Sequence, residues 1–352
     1  MTPISKSAPV LVTGASGYIA GWIVKYLLDE GCTVHATVRD PARKSSVAHL
    51  EKMAAGSKGK LKLFKADLLD QGSFDAAMQG CELVMHTASP FVISGFTDAN
   101  EALVRPALEG TRNVLESVNR TPSVKRVVLT SSVASVCGDN KDMKGLAAFT
   151  EEHWNTTSSV DHNPYQYSKV AAEREAWTIN QAQKRWDLVT INPSMVYGPS
   201  LTTGSQSASI DTLVQMGDGR LKRGVPKLTY GIVDVREVAR AHLLAGFEPT
   251  ASGRHILNAG TLTMYGIARI LRRKYGRSYP FPRGEAPTLL VWAFGPLMGP
   301  ITREFVSKNV GYPVAFDNTR SKQLGVRYRP MEETFVEHFQ QVIDDGLLQK
   351  RG

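Results

Sequence analysis

Val10, Leu11 and Val12 form a short apolar run that ends at Thr13 and Gly14, and behind it Ile19, Trp22, Ile23, Tyr26 and Leu27 recur at helical spacing up to Asp29. The run predicts a buried strand, and the recurrence an amphipathic helix. Residues 33–38 read as the next strand. The theme returns at 61–65, 83–86 and 126–129, with helical patterns near 73–78 and 101–118. Strands alternating with helices predict a parallel sheet covered on both faces. Right-handed crossovers make it doubly wound. After Asn192 the apolar runs shorten and Gly, Pro, Ser and Thr thicken, as expected of loops that enclose a ligand. Sheet-and-helix patterns come back at 233–244 and 254–257, and an amphipathic segment at 331–343 closes the chain. The expected fold class is α/β, a doubly wound core of residues 1–192. A smaller, discontinuous C-terminal part spans residues 193–352, with segments near 228–260 returning to the core.

Composition adds little to this picture and excludes some alternatives. The chain is 42% hydrophobic and 21% charged, enough apolar material for a sizeable core. Its net charge of +9 comes from Lys and Arg scattered among Asp and Glu, which suits an enzyme with an anionic ligand better than a nucleic-acid binder. The three cysteines, Cys32, Cys81 and Cys137, are far apart, so neither a disulfide framework nor a metal site is expected. Residues 289–301 are apolar but broken by Gly295, Pro296, Gly299 and Pro300, a pattern of packing or lid structure and not of a membrane span. With a short polar start and no apolar leader pattern, a cytoplasmic location is expected.

The chemistry begins at the first turn. Gly14-Ala15-Ser16-Gly17-Tyr18-Ile19-Ala20 follows a strand and opens a helix, the setting that a phosphate-binding turn requires. Gly14 permits the tight turn, Gly17 the close approach of a pyrophosphate, and Ala20 the packing of helix on strand. Ser16, Tyr18 and Ile19 are candidates in the same turn, whose free amides would face the anion. The second strand ends at Arg39, where an NAD enzyme usually places an acid. Arg39, with Arg43 and Lys44 close behind, can bind a 2′-phosphate. Asp40 keeps NADH open. Asp67, beside Leu68 after the third strand, either binds the adenine amino group or caps the next turn.

Further on, Thr130-Ser131-Ser132 closes a strand at the edge where open α/β sheets bind ligands. A serine there can donate to a substrate oxygen as charge develops on it. Tyr165 and Lys169 start a helical stretch and, four apart, share one of its faces. An adjacent ammonium favours the phenolate and draws the tyrosine toward a working pKa.

With these motifs the chain resembles the extended short-chain dehydrogenase/reductases, and within them the dihydroflavonol 4-reductase-like branch. That branch includes cinnamoyl-CoA reductases and microbial aldehyde and ketone reductases. The likeness runs through Gly14-x-x-Gly17-x-x-Ala20, Arg39-Asp40, His86-Thr87-Ala88-Ser89-Pro90, Ser131-Ser132, Tyr165-x-x-x-Lys169, the stretch from Asn192 to Pro199, and Val233-Asp234-Val235-Arg236. It implies a Rossmann core that binds NADPH and a reaction that turns a small aldehyde or ketone into an alcohol. Ser132 would orient the carbonyl, Tyr165 would supply the proton, and Lys169 would hold the ribose and lower the tyrosine pKa. Arg39 and Lys44 would take the 2′-phosphate. Thr87, Ala88, Ser89, Pro193 and Val196 would line the nicotinamide, and Phe91 would start the substrate wall.

Asp234 reads as a cap for the helix after it. Cys137 stands where dihydroflavonol reductases carry an asparagine, and Tyr165-x-x-Ser168-Lys169 with Ala172-Glu173 is similar to the microbial carbonyl reductases. Partners are expected to be a small carbonyl compound only, on a monomer or homodimer, with no nucleic acid and no membrane. A nucleotide-sugar epimerase or hydroxysteroid-type dehydrogenase shares the same trio, and a non-catalytic NADP-binding sensor shares the fold.

Overall fold

A computed structural model of the chain describes residues 3–89, 98–202, 207–297 and 301–348. The apolar runs are strands: β1 (Val10–Thr13), β2 (Thr33–Val38), β3 (Lys60–Lys65), β4 (Leu83–His86), β5 (Arg126–Thr130) and β6 (Asp187–Pro193). Between them lie α1 (Tyr18–Asp29), α2 (Lys44–Ala55), α3 (Asp75–Met78), α4 (Arg105–Arg120) and α5 (Pro164–Gln181). Downstream come β7 (Met195–Tyr197), α6 (Ala208–Asp218), β8 (Val225–Pro226), β9 (Thr229–Asp234), α7 (Val235–Phe247), β10 (Gly253–Leu257) and β11 (Gly260–Thr263). The chain ends through α8 (Met264–Tyr275), β12 (Glu285–Ala286), α9 (Thr288–Phe294), α10 (Arg303–Asn309), α11 (Thr319–Gln323) and α12 (Met331–Asp344).

Seven strands form one sheet in the order β10-β6-β5-β4-β1-β2-β3, every pair parallel. The strand order reverses between β1 and β4, so the carboxyl ends of these two strands open a crevice. Val10, Val12, Val34, Ala36, Met85 and Val128 are buried from one face against α1 and α7; Leu11, Val84, Val127 and Leu129 are buried from the other against α4 and α5. Burial on both faces explains why β1, β4 and β5 read as nearly continuous apolar runs, whereas in β2 the buried polar His35 and Thr37 alternate with Val34 and Ala36.

In the segment near 228–260, β10 joins the seven-stranded sheet beside β6, whereas β9 pairs with β7 and β11 in a separate three-stranded sheet. That small sheet, with α6, α8 and α12, encloses a second core around Tyr197, Leu213, Phe335 and Phe339. Asp234 caps α7 as the sequence suggests. Its carboxylate accepts the Arg236 N–H at 2.8 Å, and Glu237 returns a bond to the Asp234 N–H. In the apolar stretch 289–301, Val291 and Ile301 pack beside Leu228 and Val306, while Leu289 and Phe294 are exposed. Among the described residues no helix is long and apolar enough to cross a membrane, and no group of His, Cys, Asp and Glu is placed to hold a metal ion.

Candidate active site

The carboxyl ends of β1, β4, β5 and β6 converge on a cavity of about 550 Å³. Of the candidate residues, Gly14, Gly17, Tyr18, Ile19, Thr87, Ser89, Ser132, Tyr165, Lys169, Pro193 and Val196 all line it.

The first turn has the form of an anion cradle. Gly14 adopts a left-handed φ of 62°, and a Cβ there would meet the Ala88 Cβ at 3.0 Å, so only glycine keeps the floor of the turn open. Gly17 begins α1 with no side-chain cap, leaving the first-turn amides for a ligand. Opposite, Thr13 Oγ1 accepts the Thr87 and Ala88 N–H groups at 3.1 and 3.0 Å. Its own hydroxyl is left to donate to His86 Nδ1, 2.9 Å away. Burial pushes His86 down to about 3, so this imidazole is neutral and can accept. The cluster pins the 87–89 loop, whose Ser89 Oγ accepts from Lys169 Nζ at 2.9 Å.

Arg39 lies exposed just past the end of β2 and makes no ion pair among the described residues. Lys44, the first residue of α2, is tied to Glu51 at 3.1 Å. The Asp67 carboxylate accepts the Leu69 N–H at 2.9 Å, so it caps the turn after β3, with a second oxygen still open to a ligand. The Leu68 side chain packs against Gly110. Ser16 sits in the first turn, and Phe91 lies outside the described residues. Of this group, the glycine turn and the uncapped start of α1 line the cavity, whereas Ser16, Arg39, Lys44, Asp67 and Leu68 do not.

Ser132 follows β5 and caps the short turn Val133–Ser135, its Oγ accepting the Ala134 N–H at 3.1 Å. The hydroxyl proton is thereby left for the cavity. Tyr165 and Lys169 share one face of α5, with Lys169 Nζ 5.6 Å from the centre of the tyrosine ring. Burial pushes the Tyr165 phenol up to about 12 and the Lys169 ammonium down to about 8. Burial sets the direction of both shifts, with the Lys169 ammonium bonded to Ser89.

One turn beyond Lys169, Glu173 is fully buried and gathers the strands behind the site. Its Oε2 accepts from the hydroxyls of Ser131 and Ser135 and from Asn192 Nδ2 at 2.8 Å. Its Oε1 accepts from Arg254 Nε at 2.7 Å and Thr190 Oγ1 at 3.2 Å. The strand end that carries Ser132 and the helix that carries Tyr165 and Lys169 are thus held by one carboxylate. Sequence reasoning noted Glu173 without a role; its spacing from Lys169 was the only signal. It missed Tyr230, Phe305, Asn309 and Phe316 altogether, which form the far wall of the cavity.

Residues 10–260 match the model of the NAD dependent epimerase/dehydratase family. The chain belongs to that family. As a member it is an extended short-chain oxidoreductase, similar in sequence to named reductases. It is 44% identical to a cinnamoyl-CoA reductase of Medicago truncatula over 76% of this chain and 80% of that one. It is 36% identical to tetraketide alpha-pyrone reductase 1 of Arabidopsis thaliana over 96% of both chains. Among solved structures, yeast methylglyoxal/isovaleraldehyde reductase complexed with NADPH superposes with a TM-score of 0.76 at 27% identity, covering 97% of this chain and all of that one.

Proposed function

We propose that the protein is an NADPH-dependent reductase that converts a small aldehyde or ketone into the alcohol, with residues 1–192 holding the cofactor and residues 193–352 supplying most of the substrate wall. The observation that carries the reading is the convergence of Ser132, Tyr165 and Lys169 on the cavity that the glycine cradle also lines. NADPH, when bound there, supplies the hydride that reduces the carbonyl carbon. Ser132 Oγ donates a hydrogen bond to the carbonyl oxygen and fixes its direction. Tyr165 Oη gives that oxygen its proton, and a phenol held at about 12 carries one at every working pH. Lys169, cationic below about 8, stabilises the phenolate left behind until solvent returns a proton. Arg39 supports the choice of NADPH, since its guanidinium stands free at the end of β2 to receive a 2′-phosphate.

Similarity to proteins known as reductases favours reduction over epimerisation. The part of the cavity walled by Leu228, Tyr230, Phe305 and Phe316 suits an apolar carbonyl compound. The test is the fall in reduced-nicotinamide absorbance with NADPH and NADH in parallel, over aliphatic, aromatic and dicarbonyl substrates. Carbonyl-dependent oxidation of NADPH, much slower with NADH, is expected. Tight NADPH binding with no turnover of any carbonyl would overturn the proposal in favour of a sensor.

A further inference from the structure

The catalytic helix begins in an unusual way. Asn163, the residue before α5, has φ 58° and ψ 54°, and among the described residues no other non-glycine residue has a positive φ. Asparagine tolerates this region better than most residues, yet it still needs something to hold it there. Pro164 and Tyr165 follow directly, so the direction in which Asn163 launches the chain sets the first turn from which Tyr165 projects. The Asn163 side chain does not cap its own helix. Its Nδ2 donates instead to Asp139 Oδ1 at 2.9 Å.

Asp139 is 1% exposed and lies in the loop that leaves β5. The same Oδ1 accepts from Asn309 Nδ2, at the end of α10, at 2.6 Å. Its Oδ2 meets His162 Nε2 at 2.8 Å and lies 3.9 Å from Lys308 Nζ. Three stretches of chain therefore meet on one buried carboxylate: the β5 loop, the entry to α5 and the end of α10. Two of these border the substrate, since Gly138, Asn140 and Asn309 line the same cavity as Tyr165. Asn309 itself is spent on the protein, because its Oδ1 accepts the Asn140 N–H at 2.9 Å and its Nδ2 also reaches the Phe305 carbonyl at 3.1 Å. Its place in the wall is thus structural, and it has little left to offer a ligand. Hydrogen bonds to a carboxylate are stronger and shorter than neutral ones, and burial strengthens them further.

We propose that Asp139 is a positioning residue for Tyr165, coupling the seat of α10 in the substrate wall to the left-handed start of the catalytic helix. It acts through Asn163 and touches no substrate. The inference rests on the reading of Tyr165 as the proton donor.

The experiment compares Asp139→Asn, Asn163→Gly, the double variant and Tyr165→Phe, measuring kcat and KM for a reactive carbonyl, NADPH affinity by fluorescence, and the solvent deuterium isotope effect on kcat. Glycine accepts the left-handed backbone without strain, so Asn163→Gly removes the tether while keeping the fold, even if Asp139→Asn does not fold. A misplaced donor lowers kcat on the order of 10–100-fold while KM and NADPH affinity hold. The isotope effect rises as proton transfer becomes the slower step, and the double variant is no slower than the slower single one. Unchanged kcat in folded variants, or kcat and NADPH affinity falling together, would overturn the role. Tyr165→Phe with full turnover would overturn the reading of the acid and this inference with it. An inactive Tyr165→Phe beside fully active Asp139→Asn and Asn163→Gly overturns this inference alone.

Discussion

Glu173, on α5, and Arg254, on β10, face each other at 2.7 Å, the carboxylate 0% and the guanidinium 7% exposed. Arg254 also donates to the carbonyls of Glu151 and His153 and stacks on the Trp154 ring at 4.0 Å. Glu173→Ala leaves this guanidinium buried without its counter-charge, a loss of ~3–5 kcal/mol in stability by analogy with broken buried pairs. Urea denaturation checks it, and a change near zero would mean that water replaces the carboxylate.

Tyr165→Phe removes one hydroxyl from the cavity and leaves the glycine cradle intact. Positioned acid catalysis is typically worth ~10²–10⁴-fold, so kcat should fall by that factor while NADPH affinity stays as it was. Steady-state kinetics beside a binding titration separates the two. Activity close to that of the parent would assign the proton to another group.

Arg39→Ala acts on the cofactor alone. Hydrogen bonds to a charged group contribute about 1.5–3 kcal/mol, so NADPH binding should weaken roughly 10–100-fold while NADH binding is nearly unchanged. Equal weakening of both would place the 2′-phosphate elsewhere, with Lys44 the next candidate once freed from Glu51.

With Lys169 in the proposed role, the reaction should be pH-dependent. Its cation is present below about 8 and is lost as the pH rises through that value, so kcat/KM should fall on the alkaline side of pH 8. In Lys169→Arg, whose guanidinium stays charged, that limb should disappear from the pH–rate profile. Stability runs the opposite way. Between about 8 and lysine's ordinary 10.5 the unfolded chain holds the proton that the cofactor-free native state has released, so this residue's contribution to stability rises with pH across that window. Denaturation curves of the parent and Lys169→Met as a function of pH would show the difference, and parallel curves would refute it.

The sequence by itself determined the parallel core and the near wall of the site. β1 and β4 are legible because burial on both faces makes them nearly continuous apolar runs, β2 because Val34, Ala36 and Val38 alternate with Thr33, His35 and Thr37, and the glycine turn because its work is done by consecutive residues. Tyr165 and Lys169 are legible because helical spacing alone puts them side by side. Tertiary structure decided the rest. Glu173 meets Arg254 across 81 positions, and Asp139 meets Asn309 across 170. Tyr230, Phe305 and Phe316 reach the cavity from segments too short to show a period. Local spacing carries side chains only to their neighbours on the same strand or helix. Which carboxylate holds which donor, and which aromatic ring closes the far wall, depends on how separate elements pack.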